Sequence, residues 1–255
     1  MVDLSKLPPE DLARLAYEFG RGLQQTLDNL RTSGEDREDL RQFMAFAIPL
    51  TTRSKAQLFQ DLWALWVSDR KTGGYFVEFG AADGLSHSNT YLLETEMGWT
   101  GLLAEPNPAF FASLGANRRC AVSHLCVHPV GDRPVEFLAA REGELSRLEE
   151  ISPADRHEAS RLKGATRLTV DTITLNDLLV RHQSPRRIDY MSVDTEGSEH
   201  AILSSFDFDR WDVRAISVEH NYTPERARLH DLLTGVGYRR QWPELSLFDD
   251  WYVRI

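Results

Sequence analysis

Apolar positions give the first outline of the chain. Leu12, Leu15, Ala16, Phe19, Leu23, Leu27 and Leu30 recur at three- and four-residue steps, which brings them to one face of a helix. Ser33-Gly34 breaks that helix, and Leu40, Phe43, Met44 and Ala47 carry the period on until Pro49. Ser54 with Gln57 reads as a capping box for a third helix through Leu58, Leu62, Leu65 and Trp66. Gly73-Gly74 then releases the chain. From there, short apolar runs alternate with helical periods, the pattern of a mostly parallel sheet with crossover helices. The runs lie at 75–79, 101–105, 123–127, 135–138, 188–193 and 216–219, and 238–242 with 251–253 predicts a closing antiparallel hairpin. The expected division is a helical segment over 1–72 and an α/β domain over 73–255. The helical segment reads as a cover over the sheet or an oligomer contact, or alternatively as a lid on the substrate site. Residues 141–165 are dense in charge and read as a solvated surface insertion, with a substrate flap as the alternative.

The run 75–84, Tyr-Phe-Val-Glu-Phe-Gly-Ala-Ala-Asp-Gly, brings in the first chemistry. A buried strand that ends in a glycine-rich bend before a helix makes a nucleotide cradle, because glycine lets backbone approach a ligand closely. The spacing is Gly-x-x-x-Gly, with Glu78 before it and Asp83 inside it, not the Gly-x-Gly-x-x-Gly of dinucleotide binders. Acids here repel a pyrophosphate but suit a ligand with hydroxyls and positive charge. S-adenosylmethionine carries a sulfonium and an ammonium and no phosphate. A helix over 89–97 follows, with Ser86 or Ser88 as its N-cap and Gly98 past its end. The next apolar run ends in Glu105, about 20 residues beyond the loop, where the second strand of such a unit delivers an acid to ribose hydroxyls. Pro106-Asn107-Pro108 then turns the chain.

On these residues the chain resembles the FkbM family of methyltransferases. The likeness runs through 77–107, with Asn89-Thr90 and Gly98-Trp99-Thr100-Gly101 between the two acids. It continues in 170–179 and in 188–199, Ile-Asp-Tyr-Met-Ser-Val-Asp-Thr-Glu-Gly-Ser-Glu, and in Ile216-Ser217-Val218-Glu219-His220-Asn221 followed by Gly237-Tyr238. It spans 73–255 and leaves the N-terminal helices outside. The resemblance implies a seven-stranded, Rossmann-like class I α/β fold with helices on both faces of the sheet. It also implies S-adenosylmethionine as donor and an O-methyl product, on a hydroxyl of a sugar or secondary metabolite. The loop reading and the resemblance together assign donor binding to Glu78, Gly80, Ala81, Asp83, Gly84, Ser88, Asn89, Thr90, Glu105, Pro106, Asn107 and Asp194.

Composition narrows the alternatives. The net charge of −10 over 255 residues argues against a nucleic-acid substrate, and Arg118-Arg119 and Arg186-Arg187 are too small to reverse that. No apolar run approaches the roughly 20 residues that span a bilayer. The start of the chain, with Asp3, Lys6, Glu10 and Asp11, has no apolar signal region, so the cytoplasm is the expected location and no membrane partner is expected. Cys120 and Cys126 show no metal or redox spacing. A homodimer through the N-terminal helices is one consequence of their apolar face.

In an open α/β sheet, ligands bind beyond the carboxyl ends of the strands. Asp194, which ends the run 188–193, is the first candidate for the base that takes a proton from an acceptor hydroxyl; its bland role is a helix N-cap. Glu219 and His220 end the next run. Neighbours on a strand point opposite ways, so only one of the two faces the acceptor, and His220 could instead be satisfied by backbone beneath the sheet. Asp194, Glu219 and His220 could also hold Mg²⁺ or another hard cation, and the sequence assigns no metal. Glu196 and Gly197 share the Asp194 loop. His87 is either a donor or acceptor contact or a loop residue, and His128 and Cys126 fall near the expected adenine position. Trp211, Trp242 and Trp251 are core residues or a stacking wall. Competing readings are a nicotinamide-dependent oxidoreductase, which lacks its third glycine and its Tyr-x-x-x-Lys pair, a non-catalytic donor-binding module, and an N- or carboxyl-methyltransferase on the same fold.

Overall fold

The computed structural model describes residues 38–141, 143–151 and 162–255. The predicted helix over 12–30, and with it the lid and dimer readings of that segment, lies outside the described residues, as do 152–161 of the charged stretch. The chain forms two compact units, 1–46 and 47–255. The described part of the first is helix α1 (Glu38–Ala47), which runs to the boundary. Arg41 and Gln42 both donate to the Glu38 carboxylate, at 2.7 and 2.9 Å, the neighbour pairs that a helical turn brings together.

The second unit opens with helix α2 (Gln60–Val67). The expected capping box at its start does not form. Ser54 Oγ donates to the buried Asp61 carboxylate at 2.7 Å instead, and Phe59, in the left-handed conformation at φ 62°, starts the helix at Gln60. The chain then runs through β1 (Tyr75–Phe79), α3 (Tyr91–Met97), β2 (Thr100–Ala104), α4 (Phe111–Asn117), β3 (Ala121–Ser123), β4 (Cys126–Val127), β5 (Pro134–Ala139), β6 (Arg147–Leu148) and β7 (Thr166–Ile173). It closes with α5 (Leu175–Arg181), β8 (Arg187–Ile188), β9 (Tyr190–Val193), α6 (Glu199–Ser204), β10 (Asp212–Val213), β11 (Ala215–Glu219), α7 (Glu225–Gly235), β12 (Tyr238–Gln241) and β13 (Asp249–Arg254).

The main sheet has seven strands in the order β12-β13-β11-β9-β1-β2-β3, parallel except for β13. Alternation sorts its two faces. Val77, Phe79, Met191, Val193, Ile216 and Val218 join Leu178 and Leu179 of α5, Ile202 and Leu203 of α6, and Leu229 and Leu233 of α7 in the principal core. Each such fully buried aliphatic or aromatic side chain contributes roughly 1.5–3 kcal/mol. The opposite face is polar across three adjacent strands. Glu78, Ser192 and Ser217 stand side by side in register, with Trp251 next in the row. Its cover is α2, whose Trp63 stacks on Trp251 at 5.2 Å and meets Tyr190 edge-on at 6.2 Å. The closing hairpin β12–β13 is antiparallel, as its sequence predicts.

Two expectations shift. The third run divides, because Leu125 N–H bonds Ser123 Oγ and bends the chain after β3. Cys126-Val127 therefore pairs with Thr172-Ile173 in a second sheet, β4-β7-β5-β6. The charged stretch is not wholly solvated either: Arg147-Leu148 forms an edge strand on β5, and Leu148 packs with Cys126, Val135, Phe137 and Val170. Among the described residues, no helix is long and apolar enough to cross a membrane.

Candidate functional site

The carboxyl ends of β1, β2, β9 and β11 meet at one edge of the sheet. Because β13 runs the other way, its first residue joins them there, Asp249 pairing with Glu219. The bend after β1 fits closely. A Cβ on Gly80 would lie 1.7 Å from the Asp194 carbonyl oxygen, and the residue sits at φ 79°, so no side chain is accommodated. Gly80 and Ala81 N–H both point to the Ala104 carbonyl. Glu105 Oε2 accepts from Ala82 N–H at 2.9 Å and Oε1 from Asn107 N–H at 2.7 Å, so one carboxylate holds the ends of β1 and β2 together. Burial pushes its pKa up to about 7 against these two bonds. Asn107 in turn donates to Ser146 Oγ at 3.2 Å, which ties the loop to the second sheet. Pro106 lies between the two.

Several residues expected to meet the donor are occupied within the protein. Glu78 does not present its carboxylate to a ligand. It accepts from Asn89 N–H at 2.8 Å, Thr90 Oγ1 at 2.5 Å and Ser88 Oγ at 3.1 Å, with the buried Arg118 guanidinium 3.5 Å away. Asp83 spends both oxygens on its own turn, accepting from Leu85 N–H, Ser86 N–H and Ser86 Oγ. Neither Ser86 nor Ser88 caps α3, which starts at Tyr91 with no side-chain cap, while Gly98 ends it at φ 65° as expected. Asn89 donates from Nδ2 to Ser192 Oγ at 2.9 Å, and its Oδ1 is buried with no partner among the described residues. An orphaned buried acceptor costs stability unless a ligand or water completes it.

Beyond β9 and β11 lies a cluster of acids. Asp194 and Glu219 are hydrogen-bonded to each other through their carboxyls, and burial with Glu196, Glu199 and Asp249 nearby pushes both well above the usual carboxylate range. Two carboxyls this close and this buried disfavour carrying both charges at once. Asp194, Glu196 and Glu219 each offer an oxygen, all within 4.8 Å of one another, a hard donor set that a divalent cation could fill. Asp194 is not an N-cap. The helix α6 starts with no side-chain cap, and Glu199 instead folds its carboxylate back onto the Asp194 loop, accepting from Thr195 N–H at 2.8 Å and Gly197 N–H at 3.0 Å.

His220 does not join the cluster. Its Nδ1 accepts from Tyr222 N–H at 3.0 Å and its Nε2 meets the Asp249 carbonyl at 3.0 Å, so both nitrogens are spent on backbone. An amide donor at Nδ1 and a carbonyl at Nε2 put the ring proton on Nε2, and burial holds its pKa below the usual value. It therefore offers no free nitrogen as base or metal ligand, and the side chain that stands with Asp194 and Glu219 in its place is Glu196. His87, at φ 58°, forms an isolated bridge with Ala56. His128 is bound to Val130 and to Glu150, and burial raises the Cys126 thiol to about 12, an inert core residue. Trp211 and Trp251 are core residues; Trp242 is buried at φ 43°. His200 pairs with Glu225 at 3.6 Å, away from the cluster.

Four residues carry no role in the sequence expectations: Asp249, Gln60, Asp61 and Arg118. Asp249, with its pKa raised to about 7 by burial, accepts from Gln60 Nε2 at 2.8 Å, and Asp61, in the first turn of α2, is buried with its pKa at about 7 as well. Asp249 could have been found, since an acid opening an antiparallel strand lands beside acids that close parallel ones. Arg118 and the Gln60-Asp61 pair carry no local signal.

A seven-stranded sheet of this order, with its one antiparallel strand next to the edge and a glycine-rich bend after β1, an interior strand beside the central β9, defines a Rossmann-like class I methyltransferase fold. The sequence profile of the methyltransferase FkbM domain matches residues 78–251. The chain belongs to that family of S-adenosylmethionine-dependent methyltransferases. No curated protein matches the sequence. Among solved structures, precorrin-6y C5,15-methyltransferase from Geobacter metallireducens GS-15 aligns at 10% identity and TM-score 0.41, over 76% of this chain and 85% of that one. The METTL16 methyltransferase domain aligns at 15% identity and TM-score 0.40, over 76% and 66%. The human methyltransferase 10 domain containing protein aligns at 14% and 0.36, over 76% and 80%.

Proposed function

We propose that this chain methylates a hydroxyl oxygen of a small molecule, a sugar or a secondary metabolite, with Asp194 and Glu219 as the proton-accepting pair. The observation behind this reading is that pair: two carboxyls bonded to each other at the ends of adjacent strands, beside the glycine bend. The bound donor supplies an electrophilic methyl carbon on sulfur, and attack by the acceptor oxygen releases a neutral thioether. Glu105, Asn89 and the backbone of 80–84 would hold the donor. The donor's ribose hydroxyls suit the remaining lone pairs of Glu105, and its ammonium suits the orphaned Asn89 Oδ1. The acceptor's proton passes to the ionised member of the pair. Burial raises the basicity of that carboxylate toward neutral pH, where a general base works best.

The test is turnover on a panel of hydroxylated acceptors, alongside calorimetric titration with S-adenosylhomocysteine. Asp194→Asn and Glu219→Gln should each lower kcat by roughly 10²–10⁴ and leave the product's Kd within a few fold. Full turnover in both variants would sink the assignment. The oxygen cluster of Asp194, Glu196 and Glu219 favours one second reading, in which a divalent cation ionises the hydroxyl. Loss of turnover in EDTA, restored by Mg²⁺ and absent in Glu196→Gln, would select it over the proton-accepting pair.

A further inference from the structure

Arg118 follows the last residue of α4, in extended conformation at φ −123° and ψ 151°, and its side chain is fully buried. Its guanidinium makes four hydrogen bonds, and three go to the donor loop. Nη1 donates to the Gly84 carbonyl at 3.2 Å and to Ser88 Oγ at 3.1 Å, and Nη2 donates to Thr90 Oγ1 at 2.8 Å. On the other side Nε donates to Glu94 at 2.5 Å, and Glu78 lies 3.5 Å off. The fork therefore faces two carboxylates, Glu78 buried and Glu94 half-buried. One of them, Glu78, holds Ser88, Asn89 and Thr90 from the opposite side. Gly84 belongs to the same fit, since a Cβ there would meet Arg118 Cγ at 2.7 Å.

The loop so clamped is strained. Gly80, Ala82, Gly84 and His87 all have positive φ, and two of these are not glycine. Such a path persists only where its surroundings over-determine it. We propose that Arg118 is a positioning residue for the donor, its planar fork fixing 84–90 in the shape that presents the Asn89 amide and the loop backbone. The inference rests on the donor-site reading above. Lysine supplies the charge but not the fork, so it cannot reach the Gly84 carbonyl, Ser88, Thr90 and Glu94 together.

The test compares the intact chain with Arg118→Lys, Arg118→Ala and, as a stability control, Leu233→Ala in the core distant from the loop. S-adenosylhomocysteine Kd, Tm and hydrogen exchange at the amides of 84–90 are measured for each. Arg118→Lys should weaken binding about tenfold or more, the effect of losing charge-assisted bonds, and speed exchange at the Asn89 amide. Leu233→Ala should lower Tm and leave Kd unchanged. Millimolar methylguanidinium should restore binding to Arg118→Ala, where methylammonium at equal ionic strength does not. Native Kd and native loop exchange in Arg118→Lys would overturn the proposal. So would a Kd that simply tracks Tm across the variants. If the intact chain does not bind S-adenosylhomocysteine, the donor-site reading fails, and exchange in the loop alone still decides whether Arg118 orders it.

Discussion

Glu105 joins two loop amides through a carboxyl that burial holds at a pKa of about 7, so its charge changes within the working pH range. Ribose hydroxyls donate to the ionised form, and the donor should therefore bind more tightly as pH rises through 7. Binding should also release protons. Calorimetry in buffers of different ionisation enthalpy measures this directly; a Kd flat in pH, or proton uptake, would contradict it. Glu105→Gln should remove the pH dependence together with most of the affinity. At this scale much of the site was legible, because Glu105, Asp194 and Glu219 each end an apolar run, and strand ends converge at one edge. The roles of Glu78 and His220 were not. An acid that ends a strand looks the same whether it faces a ligand or a buried arginine forty residues on. Alternation shows that Glu219 and His220 diverge, but only the Phe248–Asp249 backbone beside β11 shows which one is spent.

Elements carry the second set of expectations. The bend between β1 and α3 works only because the Asp194 carbonyl passes where a Gly80 side chain would be. Gly80→Ala should cost far more than the roughly 1–2 kcal/mol of holding an L-residue in the left-handed region, appearing as lost donor binding or lost folding in parallel melts and titrations. Native values for both would refute the close approach. Helix α5 offers a contrast. Thr174 accepts from Asp177 N–H at 3.1 Å and donates to its carboxylate at 2.6 Å. Thr174→Ala should therefore cost about 1 kcal/mol in urea melts with donor binding untouched. The strand–helix alternation and the closing hairpin were readable from period and breakers alone. The division of the third run was not, because Ser123 to Val127 is apolar enough for one strand and a single side-chain bond to Leu125 N–H splits it.

For the whole molecule, the polar face of the sheet sets the pH response of the fold. Asp61, Glu105 and Asp249 move up from 3.8, 4.5 and 3.8 to about 7 on burial. A carboxyl whose folded value lies above its unfolded one stabilises the fold fully below the unfolded value, and that contribution is lost as pH rises through the folded value. Without donor, Tm should therefore be higher at pH 5.5 than at pH 8, the reverse of the trend expected for donor affinity. A Tm that rises from pH 5.5 to 8 would mean that these carboxyls are not buried as described.

The sequence by itself determined the alternation of strands and helices, the glycine bend, and the acids at the strand ends, because period, breakers and spacing are local properties. It also carried enough of the family's pattern, from 78 onward, to name the methyl donor. Tertiary structure alone decided which acids meet. Asp249 reaches Glu219 through antiparallel pairing, Glu196 replaces His220 in the cluster, and Arg118 closes on a loop 28 to 34 residues before it. Each of these depends on packing between segments far apart in the chain, where burial and shared hydrogen bonds, not neighbouring residues, assign the role.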